Sequence, residues 1–542
     1  MQLSTIRPAR ALPAAWIAAL VLPSAVWVFS QTRAWTWDPA YYGYWALQLF
    51  QRLTEGHVGA WLKETSGALK MMPPLLVWLG QFFVPLRHLT GDAETALMLL
   101  NLGAATATLA LLYRLTRSLG GSMLAGMAAA AVCGSANLFL GLSRHFLTEP
   151  LQGFTAALSM TVALHADKRS HLRNVGYVLI LLALAFSAKS TSFIFVLPAL
   201  TYMALAVFAT WRDPRPAASR TDIILVGLGA VGVLITAIWY WENWRYMAMH
   251  FVQASVGAEV QNYRTATPYL DELAFWIDAI SSALSLWKIA PAMLTVLALA
   301  ALALAIKRLR LNRHILRDAV NSNALFGFYI AGMLLVSILA YAMQINHDPR
   351  FLTPIIPPIA GLVGWSLTML RHCVLAVAVI IASLINSVAA NALTFGHNVG
   401  AGAAWLWIVD RTLADKNELL PAIALTCRSN EAAPVAVGVS YPFINSNSTS
   451  FYGAKYRLQT GINCSYTSPP QDSVKSALDW LDAAQIQRVL TVAPDKQNPA
   501  DFANPIAKPF AEALAADPRF TLSPDSPGRF QIFQRVPPAG PP

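Results

Sequence analysis

Long apolar runs recur along most of this chain, and they limit its fold more than any other feature. A helix that crosses a lipid bilayer needs about 20 largely apolar residues. Only 12% of the 542 residues are charged, against roughly 25% in a soluble globular protein. The runs predict eleven membrane-spanning helices, at Leu12–Ser30, Thr95–Tyr113, Met123–Leu142, Glu149–Ala166, Val175–Ser187, Phe193–Trp211, Ile223–Trp241, Ile280–Ile306, Ala324–Met343, Phe351–Leu370 and Cys373–Leu393.

Basic residues fall in short clusters between these runs. The formal net charge is +11, which suggests nucleic acid as a partner. The sequence has no basic stripe with interleaved aromatic residues, so we expect no nucleic-acid binding. With the N-terminus in the cytoplasm, every strongly basic short loop falls on the cytoplasmic side, as the positive-inside rule requires. If the short run Pro73–Leu86 is counted as a span, every later loop changes sides and the basic loops no longer share one face. We therefore predict an interfacial or re-entrant helix there.

The composition changes after about residue 395. Short β-branched runs predict strands, and apolar residues at helical spacing predict helices. The predicted strands are Pro434–Ser440, Arg488–Val492 and Arg529–Gln534, and the predicted helices are Ser473–Ala484 and Pro509–Ala516.

The predicted fold class is an all-α polytopic membrane domain followed by a small α/β domain. The membrane domain comprises residues 1–395, with a first outside loop at 31–94 that carries surface helices. The α/β domain comprises residues 396–542 and lies outside, in the periplasm of a bacterial inner-membrane protein. Cys427 and Cys464 lie in it, and an oxidising compartment would permit a disulfide between them. Their separation in space does not follow from the sequence.

Asp38 follows the first apolar run, within Trp35-Thr-Trp-Asp-Pro-Ala-Tyr-Tyr. We expect it at the membrane face, next to an aromatic, amphipathic surface helix at Ala40–Leu53 that includes Tyr41. A carboxylate in this place suits a general base for a hydroxyl acceptor. The alternative is a helix cap, with Asp38 at the N-cap and Pro39 at the first helical position. Both interpretations stay open at this stage.

Other ionisable residues crowd the predicted outside loops. Arg144, His145 and Glu149 share a loop of a few residues between two spans. Such residues are costly at membrane depth and tend to be functional. Glu149 also suits a capping role at the start of a helix.

Three cations complete the pattern. Lys70 precedes the short helix, Lys189 lies in a tight outside turn, and Arg350 lies in the string His347-Asp-Pro-Arg-Phe-Leu. Arginine binds phosphate through two parallel hydrogen bonds. Snorkelling to the interface is the alternative for Lys189 and Arg350.

Two acids and three cations are therefore expected on one membrane face. They would bind a lipid-phosphate-linked group and transfer it to a hydroxyl or amine. The leaving phosphate is already ionised, so it needs cations more than a general acid. A single displacement with one base would invert the anomeric centre. We predict catalytic roles for Asp38 and Glu149, phosphate binding by Lys70, Lys189 and Arg350, and supporting roles for Arg144, His145, Tyr41 and Asp348.

At these residues the chain resembles the C-type (GT-C) membrane glycosyltransferases. It is most similar to bacterial members related to protein O-mannosyltransferases and to the lipid A aminoarabinose transferase, of the family 39 type. The resemblance covers about residues 10–370. The matching positions are Asp38, Lys70, Pro73–Leu79 for a Pro-Pro-Leu-x-x-Trp-Leu stretch, Arg144–Glu149 for Arg followed by an acid, Lys189, and Arg350–Pro354.

This resemblance implies a polyprenyl-phosphate sugar donor and transfer of a hexose or pentose on the periplasmic face. The acceptor would be an envelope lipid, polysaccharide or protein. Many relatives carry a second acid in the first loop where Pro39 follows Asp38 here, so a divalent cation is left open and no cofactor is assigned. The alternatives are a flippase or transporter for a lipid-linked glycan, which usually shows repeated halves that we do not find, and a glycan ligase.

Overall fold

The structure is a computed structural model that describes residues 8–256, 269–310, 323–343, 348–394, 416–427, 434–441, 444–497 and 504–537. It divides into two compact units. Unit 1 comprises Met1–Phe29, Ser66–Leu76 and Met98–Val409, and unit 2 comprises Ser30–Thr65, Val77–Leu97 and Asp410–Pro542. Most of the predicted first outside loop, residues 31–94, thus belongs to unit 2 together with the C-terminal part of the chain. The predicted domain boundary at residue 395 borders residues outside the described ranges and stays a prediction.

Helices form most of the chain. In chain order they are α1 (Pro8–Ser30), α2 (Trp37–Thr54), α3 (Val58–Gly67), α4 (Leu75–Gly80), α5 (Arg87–Thr90), α6 (Ala93–Ser118), α7 (Met123–Ser135), α8 (Asn137–Leu142), α9 (Glu149–Leu164), α10 (His171–Ala188), α11 (Phe193–Ala209), α12 (Arg220–Val256), α13 (Tyr269–Leu284), α14 (Ile289–Arg310), α15 (Ala324–Ala342), α16 (Ile356–Leu370), α17 (Cys373–Thr394), α18 (Lys416–Thr426), α19 (Ser446–Thr460), α20 (Val474–Ala483) and α21 (Ala507–Ala516). Short 3-10 turns lie at Val84–Leu86, Ala166–Lys168, Ser190–Ser192, Pro349–Ile355 and Pro494–Lys496.

Nine helices among the described residues are long and apolar enough to cross a membrane. Two further predicted spans appear as shorter helices. One is divided at Ala136, whose φ of −59° and ψ of 126° separate α7 from α8. The other is α9, with 16 residues.

One predicted span begins at a different residue. The expected helix at Ile280–Ile306 is interrupted between α13 and α14, and the apolar helix starts at Ile289. The side-chain oxygen of Asn386 accepts hydrogen bonds from the Leu286 N–H at 2.9 Å and from the Ser285 hydroxyl at 3.1 Å. Because these groups bond to a neighbouring helix, the chain turns here instead of continuing as one helix.

The long helices carry apolar side chains on their outer surface. On α12, Ile223, Leu228 and Val231 have exposed fractions of 63%, 63% and 56%. Large apolar surfaces of this kind are unfavourable in water and are stable in hydrocarbon, where a helix satisfies its own backbone hydrogen bonds. The chain is therefore a multi-pass membrane protein.

Small residues allow close helix packing in unit 1. Helix α7 is rich in alanine and glycine and packs against α16 and α17. Helices α10 and α12 pack closely through glycine positions, since a Cβ atom added at Gly229 would lie 2.6 Å from the Cβ of Leu179. Close approach through small residues is the usual way that membrane helices associate.

Unit 2 contains a five-stranded sheet. Its strands are β1 (Val435–Val437), β2 (Tyr466–Thr467), β3 (Arg488–Val492), β4 (Phe520–Leu522) and β5 (Phe530–Arg535), in the order β2-β1-β3-β5-β4. Strand β1 is parallel to β2 and β3, while β5 is antiparallel to β3 and β4. A core that includes Leu481, Val489 and Phe510 lies between the sheet and helices α20 and α21. The predicted small α/β fold is confirmed.

One feature of unit 2 was not predicted, and another was left open by the sequence. Helix α2 packs along α19, and Trp35 stacks on Phe451 with ring centroids 4.6 Å apart. Gly43 permits this approach, because an added Cβ atom would lie 2.6 Å from the Trp35 ring. A disulfide joins Cys427 to Cys464.

Candidate functional site

Glu149 is the centre of a charged cluster in unit 1. It is the first residue of α9, where the helix dipole favours a negative charge. Its side chain is 2% exposed and accepts a 2.8 Å hydrogen bond from the ammonium of Lys189. The guanidinium of Arg350 lies 3.9 Å from the same carboxylate oxygen. Glu149 thus has two cationic partners from other parts of the chain, in addition to its place at a helix start.

Lys189 is positioned by a break between two helices. It follows α10 directly, and its extended backbone, with φ −169° and ψ 134°, ends that helix. Its N–H still donates to the carbonyl of Ala185 at 3.2 Å. Its ammonium lies 4.2 Å from the centroid of the Phe351 ring. The aromatic ring and the carboxylate of Glu149 together fix the direction of this side chain.

Arg350 is positioned by its neighbour Asp348. The Asp348 carboxylate accepts a 3.0 Å hydrogen bond from the Arg350 backbone N–H and also pairs with its guanidinium at 2.6 Å. The backbone hydrogen bond caps the 3-10 turn that precedes α16. Burial raises the pKa of the Asp348 carboxyl, while Arg350 opposes that rise. The guanidinium is therefore held between two carboxylates.

Uncharged residues that the sequence analysis did not select support this cluster. The Tyr341 hydroxyl donates a 2.6 Å hydrogen bond to the carbonyl of Phe351. Gln152, on α9, donates to the hydroxyl of Thr191 at 2.8 Å, next to the Lys189 turn. The sequence feature that could have identified these residues is a polar residue inside an apolar run, because an unpaired polar group is costly in a membrane.

Arg144 has partners different from those of Glu149. It is 1% exposed. It donates to the hydroxyls of Ser24 and Thr394, both at 3.1 Å, and to the side-chain oxygen of Asn391. These contacts connect the loop before α9 to α1 and α17. They indicate a structural contribution for Arg144.

His145 lies in the same loop. Its ring is 5.7 Å from that of Trp27, and its carbonyl accepts a 2.5 Å hydrogen bond from the Asn101 amide. The same amide donates to the carbonyl of Leu147 at 2.7 Å. Asn101, which the sequence analysis missed, thus shapes the turn that leads into α9 and Glu149.

Lys70 is exposed, and its ammonium lies over the ring of Tyr246 at 5.0 Å. The residues before it are bound to α12, because Trp239 donates to the carbonyl of Ala68 at 3.0 Å. The buried Leu69 has a φ of 54°, which a bulky residue seldom adopts. The structure thus gives Lys70 a fixed backbone and an aromatic partner, and its predicted phosphate-binding role stays a prediction.

Asp38 and Tyr41 belong to unit 2. Helix α2 begins at Trp37 and its N-cap residue is Thr36, so Asp38 is the second helical residue. Tyr41 follows one helical turn later and is partly exposed. Burial raises the pKa of the Tyr41 phenol. The structure does not place Asp38 at the N-cap, and its role as a base stays a prediction.

The Glu149 cluster leaves its two cations more exposed than the acid that they share. The side chains of Lys189 and Arg350 are each 20% exposed, whereas that of Glu149 is 2% exposed. The Lys189 ammonium has three N–H donors and the Arg350 guanidinium has five. Together these are more donors than the shared carboxylate oxygen of Glu149 can accept. Within the described ranges, no group of three or more His, Cys, Asp or Glu side chains could hold a metal ion. Partly exposed N–H donors of this kind can bind an anionic group, and the predicted phosphate-binding role of Lys189 and Arg350 stays a prediction.

A comparison of sequences finds one protein family. Residues 71–241 match the family described as dolichyl-phosphate-mannose-protein mannosyltransferase. This range covers less than half of the chain. No protein of curated function matches the chain by sequence.

Solved structures match nearly the whole chain. ArnT from Cupriavidus metallidurans bound to undecaprenyl phosphate gives a TM-score of 0.56 at 13% identity, over 98% of this chain and 99% of ArnT. ArnT in the apo state gives 0.52, with the same identity and coverage. The arabinofuranosyltransferase AftD from Mycobacteria gives 0.50 at 14% identity over 97% of this chain, which spans 40% of AftD.

At these identities the likeness establishes the fold. The chain has the GT-C fold of membrane glycosyltransferases, and the predicted resemblance is confirmed at that level.

Proposed function

We propose that this protein transfers a sugar from a polyprenyl-phosphate-linked donor to an acceptor in the cell envelope. The observation that carries this proposal is the pair of partly exposed cations, Lys189 and Arg350, held by the buried carboxylate of Glu149. The match to a family of lipid-phosphate-sugar-dependent transferases supports it. So does the shared fold with ArnT, whose structure contains undecaprenyl phosphate.

Lys189 and Arg350 bind the donor phosphate in this proposal. Charge-assisted hydrogen bonds to phosphate oxygens are short and about twice as strong as neutral ones. As the glycosidic bond breaks, negative charge grows on the phosphate, and fixed cations stabilise it most at that point. Glu149 and Asp348 hold these cations in place, so the role proposed for Glu149 is to position them, in place of the catalytic role predicted from the sequence. Lys70 contributes further positive charge.

Asp38 is the proposed base. It takes the proton from the acceptor hydroxyl or amine as that group attacks the anomeric carbon of the sugar. The new bond to the anomeric carbon forms while the bond to the phosphate oxygen breaks, and the electron pair leaves with polyprenyl phosphate. The product is the glycosylated acceptor with an inverted anomeric centre.

We place this reaction on the periplasmic face of a bacterial inner membrane, with the N-terminus in the cytoplasm. The clustering of basic residues in alternate loops supports this orientation. The Cys427–Cys464 disulfide supports it independently, because such bonds persist in oxidising compartments. The acceptor is then an envelope lipid, polysaccharide or protein.

A transfer assay tests the proposal. The full chain is reconstituted in vesicles with a radiolabelled polyprenyl-phosphate sugar and an extract of envelope acceptors. We expect label to move from the lipid to an acceptor in the presence of the protein. Movement of intact labelled lipid between leaflets without transfer would indicate a flippase, and transfer of a whole glycan chain would indicate a ligase. Either result would overturn the proposal.

A further inference from the structure

Unit 2 contains a cavity of about 230 Å³ that the proposed chemistry does not use. The cavity lies between the first half of α2, the start of α19 and strand β2. The residue that follows β2 also lines it. Its volume lies just below the ~300 Å³ at which pockets for drug-sized ligands begin. The lining residues are Tyr41, Tyr44, Ser446, Asn447, Ser450, Tyr466, Thr467 and Ser468.

The lining combines aromatic rings with small hydrogen-bonding groups. Three tyrosines supply rings, and the serines, the threonine and Asn447 supply hydroxyl and amide groups that donate and accept. Burial raises the pKa of the Tyr41 and Tyr44 phenols, so both hydroxyls stay protonated at neutral pH. A ring that packs on apolar C–H groups, surrounded by donors and acceptors for hydroxyls, suits a sugar unit.

All eight lining residues are uncharged. Charged side chains near Tyr44 are paired with one another, since Arg52 lies 2.9 Å from Glu64 and Arg457 lies 3.1 Å from Glu55. Among the residues that the structure describes, the lining therefore supplies no cation to neutralise an anionic ligand.

The first turn of α19 does not favour an anion either. The side chain of Asn445 already accepts hydrogen bonds from the N–H groups of Asn447 and Ser448, at 2.9 and 3.0 Å. Those two donors are the ones that would otherwise bind an anion at a helix start. The cavity thus favours a neutral ligand over a phosphate or a carboxylate.

One wall of the cavity is fixed by the disulfide. The Tyr466 hydroxyl lies 2.7 Å from the hydroxyl of Thr426 and 3.3 Å from the sulfur of Cys427. Its ring packs on Gly453, where an added Cβ atom would lie 2.6 Å away. A ring held at both ends is already oriented for a ligand, which lowers the entropy cost of binding.

From these observations we infer that the cavity binds one uncharged sugar unit of a saccharide acceptor. This inference rests on the proposed glycosyltransferase function and names its acceptor class. Tyr41 lies one helical turn after Asp38 on α2, so a sugar in the cavity binds close to the proposed base. An acceptor anchored in this way presents a neighbouring hydroxyl for transfer.

The test uses the full chain in lipid nanodiscs and saturation-transfer NMR with neutral and charged probes. The neutral probes are methyl glucoside and methyl mannoside, and the charged counterparts are glucuronate and glucose 6-phosphate. The cavity variant is Asn447→Ala, and the matched control is Gln459→Ala, which removes an exposed amide from the same helix. The second cavity variant is Ser450→Tyr. Its larger side chain fills the cavity, so the expected loss of binding does not rely on removing a single hydrogen bond.

We expect at least one neutral probe to bind the wild type and Gln459→Ala equally, and to bind Asn447→Ala about threefold to tenfold more weakly. Ser450→Tyr should abolish that binding while thermal unfolding remains cooperative. Equal binding to all four proteins would overturn the inference, as would tighter binding of the charged probes.

Undecaprenyl phosphate is titrated in parallel. If the lipid phosphate binds and the neutral sugars do not, this inference fails and the proposed function stands. If neutral sugars bind in the cavity and the lipid phosphate does not bind at all, the proposed donor fails while the cavity assignment holds.

Discussion

The ammonium of Lys189 donates a 2.8 Å hydrogen bond to the carboxylate of Glu149, whose side chain is only 2% exposed. The two residues are 40 positions apart and lie at the ends of different helices. Removing one partner of a buried ion pair is destabilising, so each residue depends on the other.

A double-mutant cycle measures this dependence. Glu149→Gln and Lys189→Met are made singly and together, and thermal unfolding is followed in detergent. We expect the double variant to be about 1–3 kcal/mol more stable than the sum of the single effects, because the second substitution removes a group that has already lost its nearest partner. The control cycle, Asp278→Asn with Lys288→Met, breaks a pair that is 51% and 73% exposed, and its coupling should stay below about 1 kcal/mol. Simple additivity at Glu149 and Lys189 would show that the hydrogen bond contributes little.

Asp38→Asn tests the proposed base. The variant keeps the size of the side chain and removes its ability to accept a proton from the acceptor. We expect the rate of sugar transfer to fall by about 100-fold or more, while the affinity for undecaprenyl phosphate stays within about twofold. Glu55→Gln, which alters another acid of unit 2, should leave both values unchanged. Wild-type turnover in Asp38→Asn would exclude Asp38 as the base.

The Cys427–Cys464 disulfide should stabilise unit 2. The bond closes a loop with a sequence separation of 37, which corresponds to about 3–4 kcal/mol in the chain-entropy description. We expect Cys427→Ser with Cys464→Ser to lower hydrogen-exchange protection in strands β1 and β3. Cys373→Ser changes an exposed free cysteine and should leave that protection intact. Unchanged protection in the double variant would contradict this role.

The same cysteines report on orientation. In intact cells, a membrane-permeant thiol reagent should modify the partly exposed Cys464 only after reduction, if unit 2 lies in the periplasm. Modification before reduction would contradict the proposed location.

Asp92 should give unit 2 a characteristic acid sensitivity. Burial alone would raise the pKa of Asp92, but hydrogen bonds from Lys416 and from the Thr95 N–H, both 2.7 Å long, lower it overall. A carboxyl group with a lower pKa in the folded state stabilises that state above its unfolded pKa of about 3.9. This stabilisation is lost as the pH falls through the folded pKa.

We therefore expect the unfolding free energy of unit 2 to drop below about pH 4, and to drop less in Asp92→Asn. Hydrogen exchange over this pH range is the measurement. Asp479→Asn is the control, since Asp479 pairs with Lys475 where the two side chains are 64% and 86% exposed. Equal acid sensitivity in wild type and Asp92→Asn would contradict the assignment.

The sequence predicted the membrane helices because about 20 apolar residues in a row leave few alternatives. It also singled out Lys189 and Arg350, since charged residues next to apolar runs are costly unless they have a function. Their shared partner could not be deduced. Glu149 is 40 positions from one and 201 from the other, and nothing in local spacing specifies which acid meets which cation.

The packing within unit 2 was also beyond sequence reasoning. Helix α19 is polar and has little amphipathic pattern, so its packing on α2 could not be anticipated. The buried pair of Lys455 and Glu94 joins residues 361 positions apart, with nitrogen and oxygen 2.7 Å apart. Only the folded chain shows that acids of the first loop meet cations near the C-terminus.

Binding of the lipid phosphate tests the central claim most directly. Undecaprenyl phosphate and undecaprenol, which lacks the phosphate, are titrated against wild type, Lys189→Ala, Arg350→Ala and the control Lys288→Ala in nanodiscs. We predict that the wild type and the control bind undecaprenyl phosphate at least about tenfold more tightly than undecaprenol. Each site variant should lose most of this preference, because a hydrogen bond to a charged group contributes about 1.5–3 kcal/mol. Equal preference for the phosphate in all four proteins would contradict the account.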